Sequence, residues 1–125
     1  MFEQCPCGGG ATYLACCARL HAGQKTAETP EELMRARYSA YAKGRAAFIL
    51  ESWSPRTRPA RLDALDAQKW IGLTVHSAPP PRGDRGEVRF SARYLAGGEE
   101  GRLDEHGLFE RQAGRWFYVG AVRPS

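Results

Sequence analysis

The sequence lacks a long hydrophobic run: no stretch of its 125 residues approaches the roughly 20 apolar positions that cross a membrane. It opens MFEQCPC, with no basic stretch leading into an apolar one, so no export signal is expected and a cytoplasmic location is. It has no internal repeat, heptad pattern or low-complexity tract, which argues against solenoid, coiled-coil and disordered classes. Residues 18–125 hold no cysteine, so no disulfide framework spans the chain. It contains no C-x-x-C pair, phosphate-cradling glycine loop, nucleophile elbow or paired carboxylates, and so offers no motif for a reaction. Charge of one sign is also missing: the net charge is +4, with 26% charged residues, a mild and dispersed excess. Of the 18 basic residues only 3 are lysine. The arginines suit planar contacts with carboxylate or phosphate, although a solvated surface needs no such partner.

What the chain does have is 42% hydrophobic and 10% aromatic residues, an ordinary composition for one globular domain. Its four cysteines, Cys5, Cys7, Cys16 and Cys17, fall in the first 17 residues. Clustered cysteines in a chain without an export signal point to metal binding or redox chemistry. Four thiolates around a tetrahedral ion make a closed structural zinc site, with no open position for catalysis. Gly8, Gly9 and Gly10 let the chain wrap tightly, and Pro6 stiffens the link between the first two sulfurs. Tyr13 and Leu14 offer an apolar cover. His21 is a rival fourth ligand, because it lies one helical turn after Cys17. A redox pair at Cys16-Cys17 is the other rival, disfavoured because a vicinal disulfide is strained.

Thr29-Pro30-Glu31-Glu32 is a helix start, with Thr29 as N-cap, Pro30 in the first turn and Glu32 closing a capping box. This helix should run to Lys43 and stop at Gly44. It places Leu33, Met34, Arg37, Tyr38 and Tyr41 on one face. A second helix is expected over Ala46–Trp53, and a third over Pro59–Ala67 with Leu62 and Leu65 inward. The period then changes to two. Strands are expected over Trp70–Ser77, Glu87–Leu95, Arg102–Arg111 and Arg115–Val122, with the proline run at 79–81 and the stretch Gly97–Gly101 as loops. In the second strand Val88, Phe90, Ala92 and Tyr94 face one way, and Arg89, Ser91 and Arg93 the other. Helices followed by an antiparallel meander predict an α+β fold. Such a twisted sheet curls around its helices into a half-cone, one end of which can hold a pocket.

Candidate pocket residues are Arg37, Tyr38, Tyr41, Trp53, Trp70, His76 and Trp116. His76 could act as a base near neutral pH, although a strand histidine is more often structural and spaced aromatics are more often core. Asp104 and His106 share a strand face and read as an exposed polar pair. Arg56, Arg58 and Arg61 beside Trp53 offer a nucleic-acid surface, charge next to a stacking platform. A solvated loop with salt bridges is the plainer reading of the same residues.

The segment CPCGGGATYLACC resembles the SEC-C motif, the small zinc unit at the C-terminus of the SecA translocation ATPase. The segments LMRARYSAYAKG, KWIGLTV, VRFSARY and GRWFYVGAVRP, together with Trp53, resemble the YchJ family of bacterial proteins. The resemblance implies a nuclear-transport-factor-2-like (cystatin-like) cone over residues 25–125 behind a zinc unit over residues 1–24. It also implies that Cys5, Cys7, Cys16 and Cys17 are the zinc ligands, which demotes His21. Gly9 stands where the motif usually has serine, and only one copy of the motif is present, whereas some relatives carry a second. The SecA unit docks the chaperone SecB and ribosomes. By resemblance the expected function is therefore a non-catalytic interaction module with a protein or ribosomal partner at the zinc unit. A small-molecule or enzymatic pocket in the cone is the alternative, and nucleic-acid binding a further one.

Overall fold

The computed structural model describes residues 3–62 and 68–122. No helix among them is long and apolar enough to cross a membrane. The chain runs α1 (Cys17–His21), α2 (Pro30–Lys43), α3 (Ala46–Glu51), β1 (Lys69–Ser77), β2 (Arg85–Ala96), β3 (Glu99–Gln112) and β4 (Arg115–Ala121). The strands form one antiparallel sheet in the order β1-β2-β3-β4. This is the α+β meander that the change of period predicts.

Helix α2 starts and stops where its punctuation places it. The Thr29 side chain accepts from the Glu32 N–H at 3.0 Å, and Gly44 takes the left-handed conformation at φ 70°. One detail differs: the Glu32 carboxylate takes the N–H of Glu28 at 2.7 Å and pairs with Lys25. The second helix ends two residues earlier than expected. Tyr118 donates its N–H to the Ser52 carbonyl, and Ser54 donates to the Tyr118 carbonyl, so the chain beyond Glu51 pairs with β4. The expected helix over Pro59–Ala67 is not formed at residues 59–62, and its remainder, with Leu65, lies outside the described residues.

The first three strands are longer than their apolar patterns suggest, and β4 stops one residue short, at Ala121. Gly97 and Gly98 alone make the β2–β3 turn, with φ 59° and 84°, so Glu99–Gly101 continue the ladder. Gly107 pairs with Val88 instead of interrupting β3. Ala113 and Gly114, at φ 50° and 79°, close the β3–β4 hairpin in the same way. The concave face of the sheet carries Val88, Phe90, Ala92, Phe109 and Trp116, packed against Leu33, Met34 and Tyr38 of α2.

Helix α2 is buried on a second side as well. Ala36, Ser39 and Ala40 are fully buried. Ala36 joins Cys5, Cys7, Tyr13, Cys17 and Leu20 in a separate apolar cluster. Small side chains on that face let the cysteine unit approach the helix backbone closely.

Candidate functional site

The cysteine unit is built on a short ribbon. Gln4 bridges Thr12, Cys5 donates its N–H to the Ala11 carbonyl, and Tyr13 donates to Glu3. Gly8 and Gly10 turn the ribbon at φ 75° and 89°. Gly9 sits against the sulfurs: a Cβ there would lie 3.3 Å from Cys7 Sγ. The four sulfurs come within 4.8 Å of one another. Cys7 and Cys16 are 3.6 Å apart, and Cys16 and Cys17 3.9 Å. A tetrahedral ion about 2.3 Å from each thiolate spaces the sulfurs about 3.8 Å apart, so the four cysteines fit a closed metal centre. A disulfide needs about 2 Å, and all four cysteines are free. Cys7 is pushed down to about 5, first by its hydrogen bond with Cys17, while burial pushes Cys16 up to about 11. The Cys7 bond likewise pushes Cys17 up.

His21 holds the unit to the body. Its Nε2–H donates to the Ala36 carbonyl at 2.8 Å, which leaves Nδ1 to accept from the Tyr13 hydroxyl at 2.7 Å. Both ring nitrogens are engaged, and burial lowers the pKa, which favours the neutral ring. Arg35 donates to the Cys7 carbonyl at 2.7 Å, and Lys43 lies 4.6 Å over the Tyr13 ring and pairs with Glu3. Leu14 stands out at 69% exposure.

The second feature is a cavity of about 430 Å³ between the C-terminal half of α2 and the concave sheet face. Of the seven residues proposed from the sequence, Arg37, Tyr38, Tyr41, Trp53 and Trp70 line it. His76 and Trp116 do not. His76 sits on the outer face, 2.7 Å from the Ser91 hydroxyl, which in turn donates to Asp104 at 2.5 Å. Trp116 is core: it flanks Gly86 together with Pro30, at the opposite end of α2. The register shift between Trp70 and Gly72, which turns His76 to the face opposite Trp70, and the length of α2 decide these two placements, and neither is visible in local spacing.

At the cavity's polar end, Tyr118 donates to Glu105 Oε2 at 3.0 Å. Arg37 is buried, with Nη1 donating to the Ile49 carbonyl at 2.8 Å and to Ser52 at 2.7 Å. Its guanidinium lies 4.3 Å over the Tyr118 ring and 4.9 Å over Trp53. Trp70 meets Tyr38, Tyr41 and Tyr94 edge to face. Sequence reasoning missed Glu105, although the alternation of β3 marks it. Its pairing partner is Phe90, so it must face inward if Asp104 and His106 face out.

Burial raises the Glu105 pKa, partly opposed by Tyr118 and Arg37. A folded-state pKa above the unfolded one means stability that is complete below the unfolded value and lost as pH rises through the folded one. Glu105→Gln should therefore unfold at a higher temperature than the parent at about pH 8, and at the same temperature at about pH 4. Thermal melts of the two proteins across pH check this; a difference independent of pH contradicts the buried charge as its cause.

The three arginines proposed for nucleic acid do not share a platform with Trp53, whose indole turns inward to Tyr118 at 5.1 Å. Arg56 pairs with Glu110 at 2.8 Å. Arg58 donates to the Trp53 and Glu51 carbonyls, closing the segment after α3. Arg61 is exposed.

Residues 29–121 match the family model described as YchJ, middle NTF2-like domain. A UPF0225 protein of Xanthomonas campestris pv. campestris is 46% identical, covering 95% of this chain and 94% of its own. A UPF0225 protein of Deinococcus radiodurans is 43% identical over 97% and 90%. The solution structure of a SEC-C motif containing protein from Rhodopseudomonas palustris superposes with a TM-score of 0.88 at 33% identity, covering 98% of this chain and 100% of that one. A second SEC-C motif containing protein, from Psychrobacter arcticus, shares the fold at a TM-score of 0.81 and 23% identity, covering 97% of this chain and 84% of its own. With its four-cysteine unit seated on an NTF2-like α+β body, the chain belongs to the YchJ (UPF0225) family of SEC-C motif proteins.

Proposed function

We propose that this protein is a non-catalytic binding module. The cone cavity takes a small ligand, and zinc at Cys5, Cys7, Cys16 and Cys17 staples the N-terminal unit to α2. The observation that carries the reading is the cavity. Its volume of about 430 Å³ falls in the range of small-molecule sites, and its walls combine aromatic rings with a few convergent polar groups. Zinc is favoured by the all-thiolate donor set and the sulfur spacing. A segment this short has little core of its own, so holding it in place is sufficient work for the metal.

The three tryptophans provide the test. Trp53 and Trp70 line the cavity and Trp116 does not. In a fragment screen on the zinc-loaded protein, the indole N–H signals of Trp53 and Trp70 should shift while that of Trp116 stays in place. No shift with any fragment, or equal shifts of all three, would overturn the reading.

A second reading, docking through the zinc unit, is favoured by Leu14, whose exposed side chain stands on the unit's outer side. Leu14→Glu should then abolish cosedimentation with purified ribosomes at full zinc content. Equal sedimentation of both proteins, or of neither, contradicts it.

A further inference from the structure

The ligand's chemistry follows from the charges around the cavity, on the reading that the cavity is a ligand site. Three charged side chains line it: Arg37 from α2, and Arg102 and Glu105 from β3. Both arginines are engaged elsewhere. Arg37 is 6% exposed and held by Ile49, Ser52 and two aromatic faces, so it forms part of the wall. Arg102 is at the rim, 3.1 Å from Asp104. Glu105 differs. Its Oε2 accepts from Tyr118; Arg37 acts on it through space only, with no cation within ion-pair distance among the described residues. The same cavity is lined by the electron-rich rings of Tyr41, Trp70 and Tyr94.

We propose that the cavity binds a small organic cation, an amine on an apolar or aromatic body, with its ammonium group on Glu105 and its body against Trp70 and Tyr94. The carboxylate supplies a charge-assisted hydrogen bond, and the ring faces supply cation–π attraction. An anionic ligand would meet the Glu105 charge at close range in a site of low dielectric, with Arg37 already committed to other partners. A neutral ligand would fill the walls but leave the carboxylate desolvated, with one hydrogen bond. Burial raises the Glu105 pKa, and a bound ammonium would reverse that shift.

The experiment is an NMR titration of the zinc-loaded full chain at neutral pH with three probes of matched shape: phenethylamine, phenethyl alcohol and phenylacetate. Phenethylamine should bind at least about tenfold more tightly than the alcohol, and phenylacetate most weakly. Glu105→Gln should bring the amine to the level of the alcohol in the same variant. The comparison among probes on the parent protein needs no variant, so it stands even if Glu105→Gln fails to fold. Phenylacetate binding best, or amine affinity unchanged by Glu105→Gln, overturns the cationic ligand. If the alcohol shifts Trp53 and Trp70 and the amine binds no more tightly, the cavity reading survives and the cation does not. If no probe shifts either indole, both fail.

Discussion

Cys17→Ser is expected to lose zinc on dialysis and to free residues 3–24 from α2, whereas His21→Ala keeps one zinc per chain. Structural zinc in small units is worth about 10–16 kcal/mol, so one thiolate of four carries about 2.5–4 kcal/mol, a loss on the order of a hundredfold in affinity. Cys17 is 3% exposed and lies 3.9 Å from Cys16, so its sulfur sits within the cluster. His21 contributes differently. Its two hydrogen bonds, to Ala36 and Tyr13, are worth about 1 kcal/mol each, and removing them lowers the melting temperature without touching a sulfur. Metal analysis after dialysis, with amide exchange over residues 3–24, separates the two effects. Full zinc retention in Cys17→Ser, or zinc loss in His21→Ala, would show that the ligand set is wrong.

Arg37→Ala should cost about 3–5 kcal/mol of folding stability, measured by urea denaturation. Burial pushes this guanidinium down to about 10, so it is held at an electrostatic cost that its contacts must offset. Alanine withdraws the N–H donors from Ile49 and Ser52 and opens a void beside Trp53 and Tyr118. Arg37→Lys should recover less than half of the loss, because an ammonium cannot cover both rings and also serve both acceptors. A loss below about 1 kcal/mol for Arg37→Ala would contradict its role as the wall of the cavity.

The limits of local reading are clearest on α2. Its caps and its Leu33–Tyr41 face follow from residue spacing, because hydrogen bonds to the first turn and a 3.6-residue period are local. Its second buried face does not. Ala36, Ser39 and Ala40 read as indifferent small residues until the cysteine unit is placed against them. On β3, Glu105 was within reach of a strict period-two reading, and Gly107 obscured it by suggesting a break. Trp53 and the neighbouring arginines look like one surface in sequence. The pairing of Ser52 and Ser54 with Tyr118 turns the indole inward and leaves the arginines outside.

The sequence by itself determined the cysteine cluster, the helix caps, the alternation of β2 and the family, because each depends on residues close along the chain or on a motif at fixed spacing. Only the tertiary structure decided which aromatics share a cavity, that His76 lies outside it and Trp116 beneath it, and that a carboxylate from β3 faces a guanidinium wall from α2. Those placements depend on strand register, on a bulge and on how one helix crosses the sheet, and these are set by packing between segments far apart in the chain.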